Sequence, residues 1–158
     1  MKQRTILVFV VALLLLGSAV RAQPAPISLS VTASAPRVGQ GEVIDYTITA
    51  RRTDPAAGDV VVRIAIDPRL TIISAETSPG NCDWRDSDNV VACLSVASAS
   101  APMVVRLSAR SSCASAGLPL VSTVHAALAE AYPDGEAADL AIATQGEFCV
   151  WLPLLVRT

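Results

Sequence analysis

Apolar and polar residues alternate with a period of two along most of this chain. The clearest run is Val43-Ile44-Asp45-Tyr46-Thr47-Ile48-Thr49-Ala50, entered from the glycine-marked turn Val38-Gly39-Gln40-Gly41-Glu42. Ile44, Tyr46, Ile48 and Ala50 fall on one face; Asp45, Thr47 and Thr49 fall on the other. Such a segment is a strand with one side in a core and one side in water. The same reading predicts strands over Ile27–Ala33, with Leu29 and Val31 inward, and over Val60–Asp67, with Val60, Val62, Ile64 and Ile66 inward and Arg63 outward. Further strands are expected at Leu70–Ala75, Val90–Val96, Met103–Arg110, Leu118–Leu128 and Ala138–Thr144. Turn chemistry separates them: Pro55 and Gly58 in a polar loop, then Ser78-Pro79-Gly80-Asn81 and Tyr132-Pro133-Asp134-Gly135. The alanine-rich stretch Ala126–Ala131 has helical composition, but Pro133 ends it early. The pattern is that of an all-β antiparallel sandwich of about 7–9 strands.

The first 22 residues stand outside this pattern. Lys2 and Arg4 precede an unbroken apolar run, Ile6–Leu16, followed by Gly17, Ser18 and Val20-Arg21-Ala22. This is the layout of a secretory signal peptide cleaved after Ala22. The run is shorter than the roughly twenty apolar residues of a membrane-spanning helix, and no cysteine at the cleavage site invites lipid attachment. Residues 23–26, rich in proline, then form an extended lead-in. The sandwich occupies residues 27–144 as one domain. Residues 145–158 are an apolar tail, an edge strand or a surface-retention segment, too short to span a bilayer.

Charge narrows the chemistry. The formal net charge is −2, and Lys2, Arg4 and Arg21 leave with the leader, so the exported part is more acidic and has no lysine. Schiff-base catalysis and lysine–asparagine cross-links are thereby excluded. An acidic surface with arginine as its only cation gives no basis for binding nucleic acid or anionic lipid.

All four cysteines, Cys82, Cys93, Cys113 and Cys149, lie beyond the leader. An even number in an oxidising compartment points to two disulfides among three possible pairings. Cys82 and Cys93 bracket a turn-rich segment between two strand-like runs, so a hairpin would bring them together. Cys113–Cys149 would then tie a late loop to the chain end. Zinc would require a CxxC spacing that the chain lacks.

His125, the only histidine, has no nucleophile motif near any serine, so a Ser–His–Asp site is not expected. It reads instead as a strand histidine, exposed or hydrogen-bonded. Asp83, Asp86, Asp88 and Asn89 crowd one turn, and Asp134, Glu136 and Asp139 another. Oxygen clusters of this kind suit calcium, but neither has the spacing of a known calcium loop; they read as solvated turn acids, with Asp83, Asp86 and Asp88 as weak calcium candidates. Nearly every carboxylate sits on a turn or an outward strand position, which disfavours a glycosidase pair. Trp84, Trp151, Tyr46 and Tyr132 would be the rings of any sugar platform, but Tyr46 points inward, Trp84 lies inside the cysteine hairpin, and Phe148 is the one further aromatic beyond the leader, so such a platform would be thin.

The same residues resemble a known family. Val38-Gly39-x-Gly41-Glu42-x-x-x-Tyr46-Thr47-Ile48-Thr49, Val60-Val61-Val62, Leu70-Thr71-Ile72, and Cys82 with Val91-Ala92-Cys93-Leu94 are similar to motifs of the bacterial extracellular conserved-repeat domain (domain of unknown function eleven). The chain departs from it at Arg52-Thr53-Asp54 and at Ile66-Asp67-Pro68. The resemblance implies an immunoglobulin-like sandwich serving as a stalk, spacer or surface-assembly module. The expectation is therefore a secreted, non-catalytic structural or adhesive module of the bacterial surface or extracellular matrix, with no cofactor. Its partners would be other surface or matrix proteins, or glycans. The alternative is a carbohydrate- or calcium-binding β-sandwich.

Overall fold

The structure is a computed structural model and describes residues 26–85, 87–112, 118–132 and 137–146. Strands β1 (Ile27–Ala33), β3 (Val43–Arg52), β8 (Met103–Ser111) and β5 (Leu70–Thr77) form a four-stranded sheet in that spatial order. The second sheet has six strands, in the order β2 (Arg37–Val38), β10 (Ala137–Gly146), β9 (Pro119–Leu128), β4 (Gly58–Ala65), β7 (Val90–Ala97) and β6 (Asn81–Arg85). Pairing is antiparallel throughout, except that β2 runs parallel to β10.

The alternation along β3 translates directly into burial. Ile44, Tyr46, Ile48 and Ala50 are buried, and Asp45 is exposed. Val60, Val62 and Ile64 of β4 and Val105 and Leu107 of β8 meet them, with Leu120 and Val124 from β9. Fully burying one such aliphatic side chain stabilises by roughly 1.5–3 kcal/mol, so this dry layer is the main cohesive force between the sheets.

Three features differ from the sequence reading. The short strand β2 is additional: the chain leaves β1, crosses at Pro36 and lays Arg37 and Val38 beside Gln145 and Gly146. Two residues carry too little periodicity to be read as a strand. Second, β4 stops at Ala65, and Ile66–Arg69 carry the chain from the six-stranded sheet to the four-stranded one. Third, β9 ends at Leu128 as expected, but the alanine-rich stretch then makes one 3-10 turn, Ala129–Ala131, that the alternation did not announce. Of the 145–158 tail, only Gln145 and Gly146 are described, and they complete β10. The leader, Asp86, Cys113, Pro133, Asp134, Glu136, Cys149 and Trp151 lie outside the described residues.

The cysteine hairpin forms as expected. Cys82 on β6 faces Cys93 on β7, their Cα atoms 4.0 Å apart, and the two sulfurs are bonded. Cys93 is buried and Cys82 packs against the core, so the bridge lies on the inner face and fastens edge strand β6 to the sheet.

Candidate functional site

The outer faces of the two sheets have different chemistry. On the six-stranded sheet, Asp83, Ala92, Arg63, His125 and Asp139 form one straight row across β6, β7, β4, β9 and β10. The His125 Nδ1 lies 2.8 Å from Asp139 Oδ1, and its ring meets Tyr132 edge-on at 6.2 Å. Among the described residues no hydroxyl or thiol is hydrogen-bonded to His125, so a histidine–carboxylate pair stands here without a nucleophile. Beyond the row the face turns apolar, with Leu94, Val96 and Val121 about half exposed.

Asp83 and Asp88 line a hollow of about 190 Å³ together with Arg63 and Arg85. Two guanidinium groups beside two carboxylates oppose a divalent cation, and among the described residues no three acidic, histidine or cysteine side chains are placed to hold a metal. Ser87 Oγ donates to Asp88 at 2.8 Å, an ordinary solvated-turn contact.

Nor do the described aromatic residues assemble a sugar platform. Tyr46 is buried, Trp84 is half-buried against the core, and the described aromatic left outside is Tyr132, beside His125. Trp84 alternates inward on β6, a placement hidden in the sequence because the register of this short strand follows from Cys82 facing Cys93.

The outer face of the four-stranded sheet is hydroxylated and concave. Two adjoining hollows of about 440 and 280 Å³ follow β8. Both are lined by Arg106 and Glu76, the first also by Val104 and Thr77, the second also by Asp45, Thr47, Ser74 and Ser108. The register explains the grouping: Thr47, Arg106 and Glu76 form one cross-strand row, and Asp45, Ser108 and Ser74 the next. A bulge between Ile72 and Ser74 shifts β5 there and leaves Ile73 exposed. Arg106 and Glu76 are 3.9 Å apart and about 70% exposed, a loose surface pair. The sequence reading placed Thr47 outward and Arg106 on a strand but did not join them to Ser74 and Glu76, because strand order cannot be read from alternation.

One carboxylate contradicts the expectation that acids lie on turns or outward. Asp67 is 5% exposed, at the crossover between the sheets. The Arg69 guanidinium, with backbone N–H groups of Arg69 and Val121, holds its pKa at about 2 despite burial. Every oxygen is engaged inside the fold, so Asp67 is a structural pin rather than an acid or base. Its signal was present as Asp67-Pro68-Arg69, a carboxylate and a guanidinium two residues apart around a strand-breaking proline.

No family model and no curated protein matches the chain. Solved structures do share its fold at low identity. The chain is similar to BcpA, the major pilin subunit of Bacillus cereus, with a TM-score of 0.54 and 8% identity over 76% of this chain and 39% of that one. It is similar to two domains of the major pilin SpaD from Corynebacterium diphtheriae, with a TM-score of 0.51 and 10% identity over 74% of this chain and 50% of that one. AvmM, which catalyses macrocyclization in alchivemycin A biosynthesis, reaches a TM-score of 0.50 and 9% identity over 82% of this chain and 93% of that one. The chain thus spans half or less of the two pilin chains and nearly all of the enzyme. Pilins and an enzyme on one scaffold carry architecture and no activity. What the chain shares with all three is an immunoglobulin-like β-sandwich.

Proposed function

We propose that the chain is an exported, non-catalytic structural or adhesive module of the bacterial surface or extracellular matrix. The observation that carries this reading is the way its groups are used. The buried polar side chains Asp67, Ser122, Tyr46 and Thr144 spend their hydrogen bonds fastening one part of the sandwich to another. A body built this way transmits force and presents surfaces; it does not activate bonds. The leader-like residues 1–22 and the Cys82–Cys93 bridge support export, since such bridges persist outside the reducing cytoplasm. The fold likeness to two pilins is in keeping with a role at the surface. A second bridge, Cys113–Cys149, belongs to the same proposal.

Fractionation of bacteria expressing the full chain tests it, with the intact mass measured before and after reductant. The expected product is extracytoplasmic, lacks residues 1–22 and gains two hydrogens for each bridge opened. A cytoplasmic product with its leader attached and all thiols free would overturn the reading.

A second reading, a glycan-binding module, is favoured by one specific observation: the hydroxyl-lined concavity along β8.

A further inference from the structure

We infer that β1 is an interface for a second copy of this chain: two β1 strands pair antiparallel about a two-fold axis at Ser30 and join two four-stranded sheets into one. β1 ends its sheet, and the phase of its ladder to β3 fixes which backbone groups are already used. The Thr53 N–H donates to the Pro26 carbonyl at 2.9 Å, and the Ser34 N–H to the Asp45 carbonyl at 2.8 Å. The even-numbered residues between them therefore face β3. The N–H and C=O groups of Ile27, Leu29, Val31 and Ala33 point to the open side, where among the described residues no strand pairs with them.

An unpaired strand edge is a template for another strand, and folds blunt such edges with shortness, charge or bulges. Among the described residues the other sheet edges carry these devices. β2 has two residues, β6 has five with Asp83 and Arg85 among them, and β5 has a register shift between Ile72 and Ser74 and carries Glu76. β1 has none. Its seven residues, Ile27–Ala33, include no charge, proline or glycine and keep unbroken register with β3.

The sequence of β1 is its own complement, which selects the occupant. With the axis at Ser30, Leu29 stands opposite Val31 of the second copy and Ile27 opposite its Ala33, so all four outward residues exchange backbone hydrogen bonds. The same register sets partly buried Leu29 against Val31 on the core side. On the water side it sets Ser28 against Thr32 and Ser30 against its own copy. No charge repels across the axis, and a contact of this isologous kind closes after two copies. A strand of other sequence would find no charged group on β1 to select it.

Self-assembly through β1 extends the structural reading without depending on export, so fractionation and association can each fail alone. The full chain, as recovered from bacteria expressing it, is followed by sedimentation over a concentration series. Its average mass should rise from one chain toward two between about 10 μM and about 1 mM, as suits a small contact. Ser30→Lys sets two ammonium groups face to face and should weaken association about tenfold. Ser30 is exposed, so thermal melts should show the fold intact. Ser30→Cys should oxidise to a disulfide-linked dimer, because Cα atoms of a non-hydrogen-bonded antiparallel pair lie about 4.5 Å apart. Ser28→Cys should not, since its two copies would stand about 13 Å apart in this register. A chain still monomeric at about 1 mM would overturn the inference, and β1 amides protected from hydrogen exchange would then identify a segment of the same chain as the occupant. Undiminished association in Ser30→Lys, or equal cross-linking of Ser28→Cys and Ser30→Cys, would overturn it as well. If Ser30→Lys fails to fold, the two cysteine variants decide alone.

Discussion

Arg69 grips Asp67 with two parallel hydrogen bonds, Nε to Oδ1 at 2.8 Å and Nη2 to Oδ2 at 2.7 Å. The same Nη2 donates to the Pro119 carbonyl at 2.7 Å, and Asp67 Oδ2 accepts from the Val121 N–H at 2.9 Å. Ser122 Oγ accepts from the Asp67 N–H at 3.1 Å. One ion pair thus ties the sheet-to-sheet crossover to the start of β9.

Asp67→Asn should therefore cost about 2 kcal/mol at neutral pH, within the range for hydrogen bonds to a charged group. The pH dependence has a definite sign. The folded carboxyl titrates at about 2 and the unfolded one near 3.8, so its stabilisation is complete above pH 4 and disappears as pH falls from about 4 to about 2. Urea denaturation across that window should show the wild type converging on the variant.

Tyr46 reaches across the sandwich from β3, and its phenol oxygen lies 3.3 Å from Thr144 Oγ1 on β10. Burial pushes the phenol pKa above its ordinary value, more than the Thr144 contact lowers it. Tyr46→Phe keeps the ring and removes this bond between sheets, leaving a buried threonine hydroxyl. The expected loss is about 1 kcal/mol in chemical denaturation, with an unchanged circular dichroism spectrum.

Gly80 has φ +121°, and a Cβ placed there would lie 2.3 Å from the Leu94 carbonyl oxygen. Gly41 has φ +73° and open space around that position. Gly80→Ala should cost more than the roughly 1–2 kcal/mol expected from a left-handed backbone alone, because the hairpin must also move. Gly41→Ala should stay within that range. Paired thermal melts measure the difference, and equal losses would mean that the β5–β6 turn gives way freely.

Replacing Cys82 and Cys93 together by alanine opens a loop with a sequence separation of 11. Loop-closure entropy sets the expected loss at about 3 kcal/mol, strain aside. Hydrogen exchange should locate it: β6 amides exchange faster while those of β3 and β8 remain protected.

Much of the scaffold was legible because one physical rule governs it. Wherever a strand has water on one side and core on the other, as in β3, β4 and β8, alternation names the buried residues, and Tyr46 was placed inward correctly. Cys82–Cys93 was legible because a hairpin is local. Sheet membership was not: β4 and β5 are separated by four residues, Ile66–Arg69, yet they lie in opposite sheets. The β8 concavity escaped for the same reason, since Thr47, Arg106 and Glu76 meet only through long-range pairing. Asp67 was misjudged because a lone acid next to proline looks like a turn residue until Arg69 and the Val121 amide enclose it.

The parallel pairing of β2 with β10 has a mechanical meaning. Ile27 begins β1 beside Arg52, whereas Gly146 ends β10 beside Val38, at the opposite pole of the sandwich. Traction applied through these two points runs lengthwise along the strands. The β1–β3 ladder and the β2–β10 contact are then sheared, with many bonds resisting at once, rather than peeled open one after another.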